Sequence, residues 1–233
     1  FSSNDCIHST NNIDKEFNAH QSGGRIITFD KNHVLFSLGE YRSRFLAQDI
    51  NSVNGKIIKI NYRDNSYKLF SMGHRNPQGL FFDKKNNIIL ETEHGPKGGD
   101  EINLIKLDEL NNDDIPNYGW PISSAGEHYH PDEERYKKYP LYDSHSKYGF
   151  IEPLKSFVPS IGISEIVKID EKKYALGSLR KRTLYFFELN SENEIVDFEE
   201  VKIFERIRDL KFYDNKLFLV LEDTPSIGVI SLE

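Results

Sequence analysis

The sequence predicts an all-β protein, a β-propeller of four-stranded antiparallel blades. Three observations carry that expectation. The chain is rich in aromatic residues, 12% of the total with 16 Phe and 12 Tyr, and such side chains suit the pleated, half-buried surface of a strand. A unit of two short apolar strands around a polar turn recurs four times along the chain, and internal repeats are the strongest guide to architecture. Each copy is followed by a further strand of similar character, which makes the repeat an antiparallel meander without helices, the pattern of propeller blades. A β-sandwich also uses many short strands, but its successive units need not resemble one another.

The first copy is Arg25-Ile26-Ile27-Thr28-Phe29, a turn over 30–33, then Val34-Leu35-Phe36-Ser37-Leu38, with a third strand over 55–60. The second runs over 79–82, turns over 83–87, returns over 88–91 and adds 102–105. The third occupies 164–169, 170–173 and 174–176, with 183–187 added. The fourth occupies 210–213, turns at Asp214-Asn215, returns over 216–221 and adds 227–231. Two segments break the rhythm. Residues 111–157 are polar and rich in Tyr, His, Pro and Ser, and read as a long loop excursion. Residues 1–19 read as the end of a preceding blade. The expectation is therefore a single propeller domain over 1–233, truncated on its N-terminal side.

Composition narrows the function. Asp and Glu number 37 against 30 Lys and Arg, for a net charge of −7, so the positive excess that phosphate backbones require is absent and nucleic acid is not the expected partner. The short runs Lys84-Lys85 and Arg180-Lys181-Arg182 suit solvated turns or a local site. One cysteine, Cys6, excludes a disulfide framework within these residues. No stretch approaches the ~20 apolar residues of a membrane-spanning helix.

The chemistry-bearing residues fall in loops between the repeats, where a rigid scaffold holds functional groups. His20-Gln21-Ser22-Gly23-Gly24-Arg25 precedes the first repeat, and paired glycines permit a tight turn or a close approach to a ligand. Gly73-His74-Arg75-Asn76-Pro77-Gln78-Gly79 precedes the second; Arg75 offers a planar fork of donors, and Pro77 keeps Asn76 out of helical geometry. Between two strands of that repeat lies Glu93-His94-Gly95-Pro96-Lys97-Gly98-Gly99-Asp100-Glu101-Ile102-Asn103, followed by Asn117-Tyr118-Gly119-Trp120-Pro121. Backbone carbonyls of such a loop can ligate a hard cation such as Ca²⁺, while Glu93, Asp100 and Glu101 can assist or simply tie the loop together.

Taken together and in this order, these motifs resemble those of the soluble quinoprotein glucose/sorbosone dehydrogenases. Arg206-Ile207-Arg208-Asp209 also resembles that family's Arg-x-Arg-Asp segment, so the resemblance covers nearly the whole chain. It implies a six-bladed propeller, of which about four blades are present, holding pyrroloquinoline quinone (PQQ) and Ca²⁺ at the channel. By the same resemblance, His20 is the general base that takes the proton of a sugar C1 hydroxyl during hydride transfer to the quinone. Arg75 and Asn76 polarise the quinone oxygens. Gly95 and Pro96 bind Ca²⁺ through their carbonyls, and Arg206 and Arg208 neutralise cofactor carboxylates. Ser160 falls near a residue that touches a cofactor carboxylate, and Gln48 near a polar pocket residue.

Three departures stand out. Arg180 occupies a position where the family usually carries a cofactor-contacting Lys. Ala19 stands where the glucose enzyme carries an acid that helps hold sugar, which bears on glucose specificity more than on catalysis. Residues 126–147, with His128, Tyr129, His130 and Asp132, have no clear family counterpart; a metal pair at His128 and His130 or a solvated polar loop both fit. The expected activity is oxidation of an aldose at C1 to the lactone, with an external electron acceptor and a periplasmic or secreted location. The alternatives are a binding propeller without cofactor use, and a lactone hydrolase built on metal-ligating carboxylates.

Overall fold

The computed structural model of the chain describes residues 20–111, 114–130 and 134–232; the blade end expected over 1–19 lies outside them. Among these residues, fifteen strands form four antiparallel sheets, each a meander in chain order. The first blade comprises β1 (Gly23–Thr28), β2 (His33–Leu38), β3 (Lys56–Asn61) and β4 (Tyr67–Met72). The second comprises β5 (Pro77–Asp83), β6 (Ile88–Glu93), β7 (Asp100–Lys106) and β8 (Lys155–Phe157). The third comprises β9 (Ile163–Lys168), β10 (Lys173–Ser178), β11 (Thr183–Leu189) and β12 (Ile195–Lys202). The fourth, with β13 (Ile207–Tyr213), β14 (Lys216–Leu221) and β15 (Ser226–Ser231), has three strands among the described residues, one fewer than the sequence expectation.

Side-chain chemistry sets the hairpin turns. Asp30 Oδ1 accepts from the amides of Asn32 at 2.8 Å and His33 at 3.0 Å, and Asp83 Oδ1 accepts from Lys85 at 3.1 Å and Asn86 at 3.3 Å. This is the local bonding that makes Asp a turn former. The fourth blade turns instead through Asp214 and Asn215, both at positive φ near 50°, as the two-residue hairpins that match strand twist require.

The first strand of each blade lies innermost, β1 beside β5, β5 beside β9 and β9 beside β13. Apolar side chains fill the wedges between blades: Leu35, Ile57, Leu80, Ile89 and Ile105 between the first and second, and Ile88, Leu90, Ile102, Tyr174, Tyr185 and Phe187 between the second and third. Along the axis, Arg25 of β1 sets Nε 2.7 Å from Glu165 of β9 and Nη1 3.1 Å from Asp209 of β13. The same Nε donates to the carbonyl of Gln78 on β5 at 3.2 Å, so one guanidinium ties all four inner strands.

Burial pushes the Glu165 carboxyl up to about 7, outweighing the pull of Arg25. Its native pKa lies above the ordinary value, so native protein holds this proton where unfolded chain has lost it. Glu165 therefore adds stability below about pH 4.5 that disappears as pH rises through 7, a change of about 3 kcal/mol. Urea melts at pH 5 and pH 8 are expected to show a larger loss for the wild type than for Glu165→Gln; equal losses would contradict this assignment.

The excursion read as 111–157 is shorter at its end, because Lys155–Phe157 is β8 and pairs with Asp100, Glu101 and Ile102 of β7. The chain leaves β7, climbs past the end of β4, where Met72 and Asn117 form a parallel bridge, and returns to complete the second blade. Among the described residues no helix is long and apolar enough to cross a membrane.

Candidate active site

Strands of a blade alternate in direction, so the segment entering each first strand and the loop joining the second and third strands emerge on one face. Every site residue expected from sequence lies on such a segment. His20 precedes β1, Gln48 lies between β2 and β3, Arg75 and Asn76 precede β5, and Gly95 and Pro96 lie between β6 and β7. Ser160 precedes β9, Arg180 joins β10 to β11, and Arg206 and Arg208 flank the start of β13.

Hydrogen bonds join these loops around a residue for which the sequence suggested no role, His94. Arg75 Nη1 donates to the His94 carbonyl at 2.8 Å, and the Asn76 amide nitrogen lies 3.3 Å from His94 Nδ1. His94 Nε2 meets the carbonyl of Ile163 in the third blade at 2.6 Å, and Asn76 Oδ1 accepts from the Gly23 amide of the first blade at 3.2 Å. Burial lowers the His94 pKa, against the nearby Asp100 charge, which keeps the ring neutral. Arg75 is buried, stacks 5.3 Å from the Trp120 ring centre, and leaves Nε without a hydrogen-bond partner.

The Gly95-Pro96 loop is fixed from beneath. Asp100 Oδ1 accepts from the Gly95 amide at 3.2 Å, and its Oδ2 accepts from Gly162 at 2.6 Å and Ile163 at 3.1 Å. A Cβ on Gly95 would stand 2.0 Å from the Gly99 carbonyl oxygen, so the tight loop requires glycine there. On the other side of this clamp the Arg180 amide donates to the Ile161 carbonyl at 3.0 Å, which sets Arg180 beside the Ser160 segment. Ser160 Oγ is buried and has no hydrogen-bond partner. Arg180 is exposed. Arg208 donates through Nε to Glu222 at 2.9 Å, and Arg206 Nε lies 3.4 Å from the same carboxylate.

Two expected residues stand apart from this core. His20 is exposed at the rim. Gln48 and Asn117 bond reciprocally, amide to carbonyl, at 2.8 and 3.1 Å, and Gln48 also donates to the Trp120 carbonyl at 2.6 Å. Gln48 thus pins the excursion to the first blade. Lys56 supports the same turn by donating to the carbonyls of Leu46, Ala47 and Asn54, each at 2.8 Å.

Below the loops is a buried polar patch on β6 and β7, where Glu93 pairs with Glu101 and Glu91 with Asn103 across the strands. Glu93 Oε2 accepts from the amides of Arg75 and Asn76, the latter at 3.3 Å. Asn103 Nδ2 donates to Glu91 and to Glu93, each at 3.0 Å. Burial, then the Glu93 charge, raises Glu91 and Glu101 well above the ordinary carboxylate range. His74, Glu91 and Glu93 each offer one ligand atom within 4.8 Å of the others, an arrangement able to hold a metal ion but already bridged by Asn103.

The excursion roofs one side. His128 and His130 form no metal pair: His128 Nε2 meets the Tyr139 carbonyl at 2.6 Å and its ring stacks on Tyr136 at 4.4 Å, while His130 is exposed. Nor is the segment simply a solvated loop, since Leu141 packs with Ala47 and Trp120.

The loops at one end of the blades are thus joined through His94 and Asp100, and a propeller of this kind carries its candidate site on blade-entry loops. The chain is a member of the glucose/sorbosone dehydrogenase family, whose model matches residues 6–230. It is 30% identical over 207 residues, 80% of its length, to the uncharacterised protein slr1608 of Synechocystis, of which it spans 47%. It is 33% identical over 120 residues to the aldose sugar dehydrogenase YliI of Escherichia coli, covering 46% of this chain and 30% of that protein. It superposes with a TM-score of 0.66 and 25% identity on the PQQ-bound aldose sugar dehydrogenase of Streptomyces coelicolor, over 88% of this chain and 57% of that one. The chain thus spans at most about half the length of these curated relatives.

Proposed function

We propose that the protein is a quinoprotein oxidoreductase that oxidises an aldose at C1 to the lactone, with PQQ as its redox group and Ca²⁺ beside it. The observation that carries this reading is the pair of buried donors without partners, Arg75 Nε and Ser160 Oγ. They lie in loops joined through His94, Asp100 and residues 161–163. Buried polar atoms are almost always bonded, so two orphans among arginines suit a bound polyanion. When bound, PQQ supplies a two-electron acceptor for the C1 hydride. His20 would take the C1 hydroxyl proton, a role open to an exposed histidine because an imidazole nitrogen can accept a proton from a bound hydroxyl. Arg75 and Asn76 would stabilise negative charge developing on the quinone oxygens. Arg180, Arg206, Arg208 and Ser160 bind carboxylates, and the Gly95 and Pro96 carbonyls hold Ca²⁺. Gln48 shapes the wall through Asn117. The reading calls for an external electron acceptor, and a periplasmic or secreted location goes with it.

The test is reconstitution of the full-length protein with PQQ and Ca²⁺, followed by absorbance titration and dye reduction with a panel of aldoses. A saturable spectral change with sugar-dependent reduction is expected. Binding without turnover of any sugar would sink the oxidoreductase reading, and no saturable change would leave a propeller without cofactor use.

A further inference from the structure

Beside Gln21 the excursion borders a cavity of about 280 Å³ lined by Arg42, Arg44, Arg75, Tyr129, His130 and Tyr136. We propose that this cavity is an anion subsite for the substrate, and that the sugar oxidised carries an oxyanion, a carboxylate or a phosphate, away from C1. The inference rests on the proposed function and names its substrate class.

Three guanidinium groups line one small space. Arg44 is 6% exposed, and its guanidinium is fixed among rings, 4.4 Å from the centre of Tyr136 and 5.6 Å from that of Trp120. Arg75 is fixed by the His94 carbonyl and by Trp120. With its amide oxygen facing Arg75, Gln21 accepts from Nη2 at 2.7 Å and donates to Glu40. Burial lowers the Arg75 pKa, and the charges that act on it include Glu40 in its favour and Arg44 against it. Arg42 forms no ion pair among the described residues. Glu40 is buried and bonded to Gln21, and its charge acts on Arg75.

Planar guanidinium forks match oxyanions in geometry, and a charge-assisted bond in a partly desolvated site is worth more than a neutral one. A neutral sugar hydroxyl accepts from a guanidinium but brings no opposite charge to neutralise it. The size suits a monosaccharide, since the cavity is at the small end of ligand sites. Tyr129, 58% exposed at the mouth, offers an apolar face to a sugar ring. Of the segments that bring Arg42, Arg44 and the tyrosines together, residues 126–147 have no clear family counterpart. The neighbouring Gln21 follows the proposed base, which places the subsite within reach of the far end of a sugar whose C1 meets His20.

The test uses the full-length protein with glucose, glucuronate and glucose 6-phosphate as probes, read by calorimetry without PQQ and by dye reduction with PQQ and Ca²⁺. At least one anionic sugar is expected to bind at least about tenfold tighter than glucose, the increment of one charge-assisted hydrogen bond. Its kcat/KM advantage should match, and the two anionic probes separate carboxylate from phosphate. In Arg42→Ala the ratio of anionic to neutral kcat/KM should fall at least about tenfold. Equal binding of all three sugars would overturn the proposal, as would an Arg42→Ala protein that loses PQQ affinity with that ratio unchanged. Failure to oxidise any aldose would defeat the function reading instead, and calorimetry alone would then decide the subsite.

Discussion

His20→Ala in the reconstituted full-length protein is expected to lower kcat by about 10²–10⁴-fold, the contribution of a positioned general base, while the PQQ titration curve stays in place. His20 is exposed, whereas Arg75, Asn76, His94 and Asp100 form the bonded ring behind it. A variant that retains wild-type kcat would show that the proton goes elsewhere; one that also loses PQQ binding would make His20 a binding residue.

The largest expected effect on stability belongs to Glu93→Gln. One carboxylate oxygen of Glu93 takes the backbone amides of Arg75 and Asn76, and the other takes Asn103 Nδ2 at 3.0 Å and faces His74 Nδ1 at 3.2 Å. Glutamine has the same shape but one acceptor oxygen, so its amide nitrogen must confront either two backbone donors or Asn103. Leaving buried donors unsatisfied in this way costs about 3 kcal/mol, which lowers the Tm by roughly 5–10 °C. Cofactor affinity should fall with it, because Glu93 aims the Arg75-Asn76 segment. Differential scanning calorimetry of the apo protein checks the first part, and a Tm within a degree of wild type would refute it.

How much of this was legible in the sequence depends on how local the cause is. The hairpins β1–β2, β5–β6, β9–β10 and β13–β14 could be read because alternation and an Asp or Asn turn lie within a dozen residues. The outer strands β4, β8 and β12 could not. Ile195–Lys202 is largely exposed and carries too little apolar patterning, and β8 is three residues long and pairs with a strand that ends 49 positions earlier, at Lys106. The site follows the same division. Glycine-rich loops announce themselves, and their position on one face follows from strand direction. His94 was visible only as part of a motif, since its meaning comes from the Ile163 carbonyl 69 residues away. Arg42 and Arg44 sit in a polar turn with no distinguishing spacing, and only the folded excursion, through Tyr136, shows what they face.

The way that excursion is mounted bears on how such a protein diversifies. It leaves from the end of β7 and returns as β8, so both of its chain ends lie in one blade. Its inner length is not coupled to the register of any strand. Each doubling of a flexible connection costs only ~0.6 kcal/mol of closure entropy, far less than a change within a packed wedge. Insertions and deletions here are therefore tolerated as exchanges of a cassette. Gene duplicates could acquire new sugar preferences by trading this one segment, while the blades and the loops of the proposed cofactor site descend unchanged.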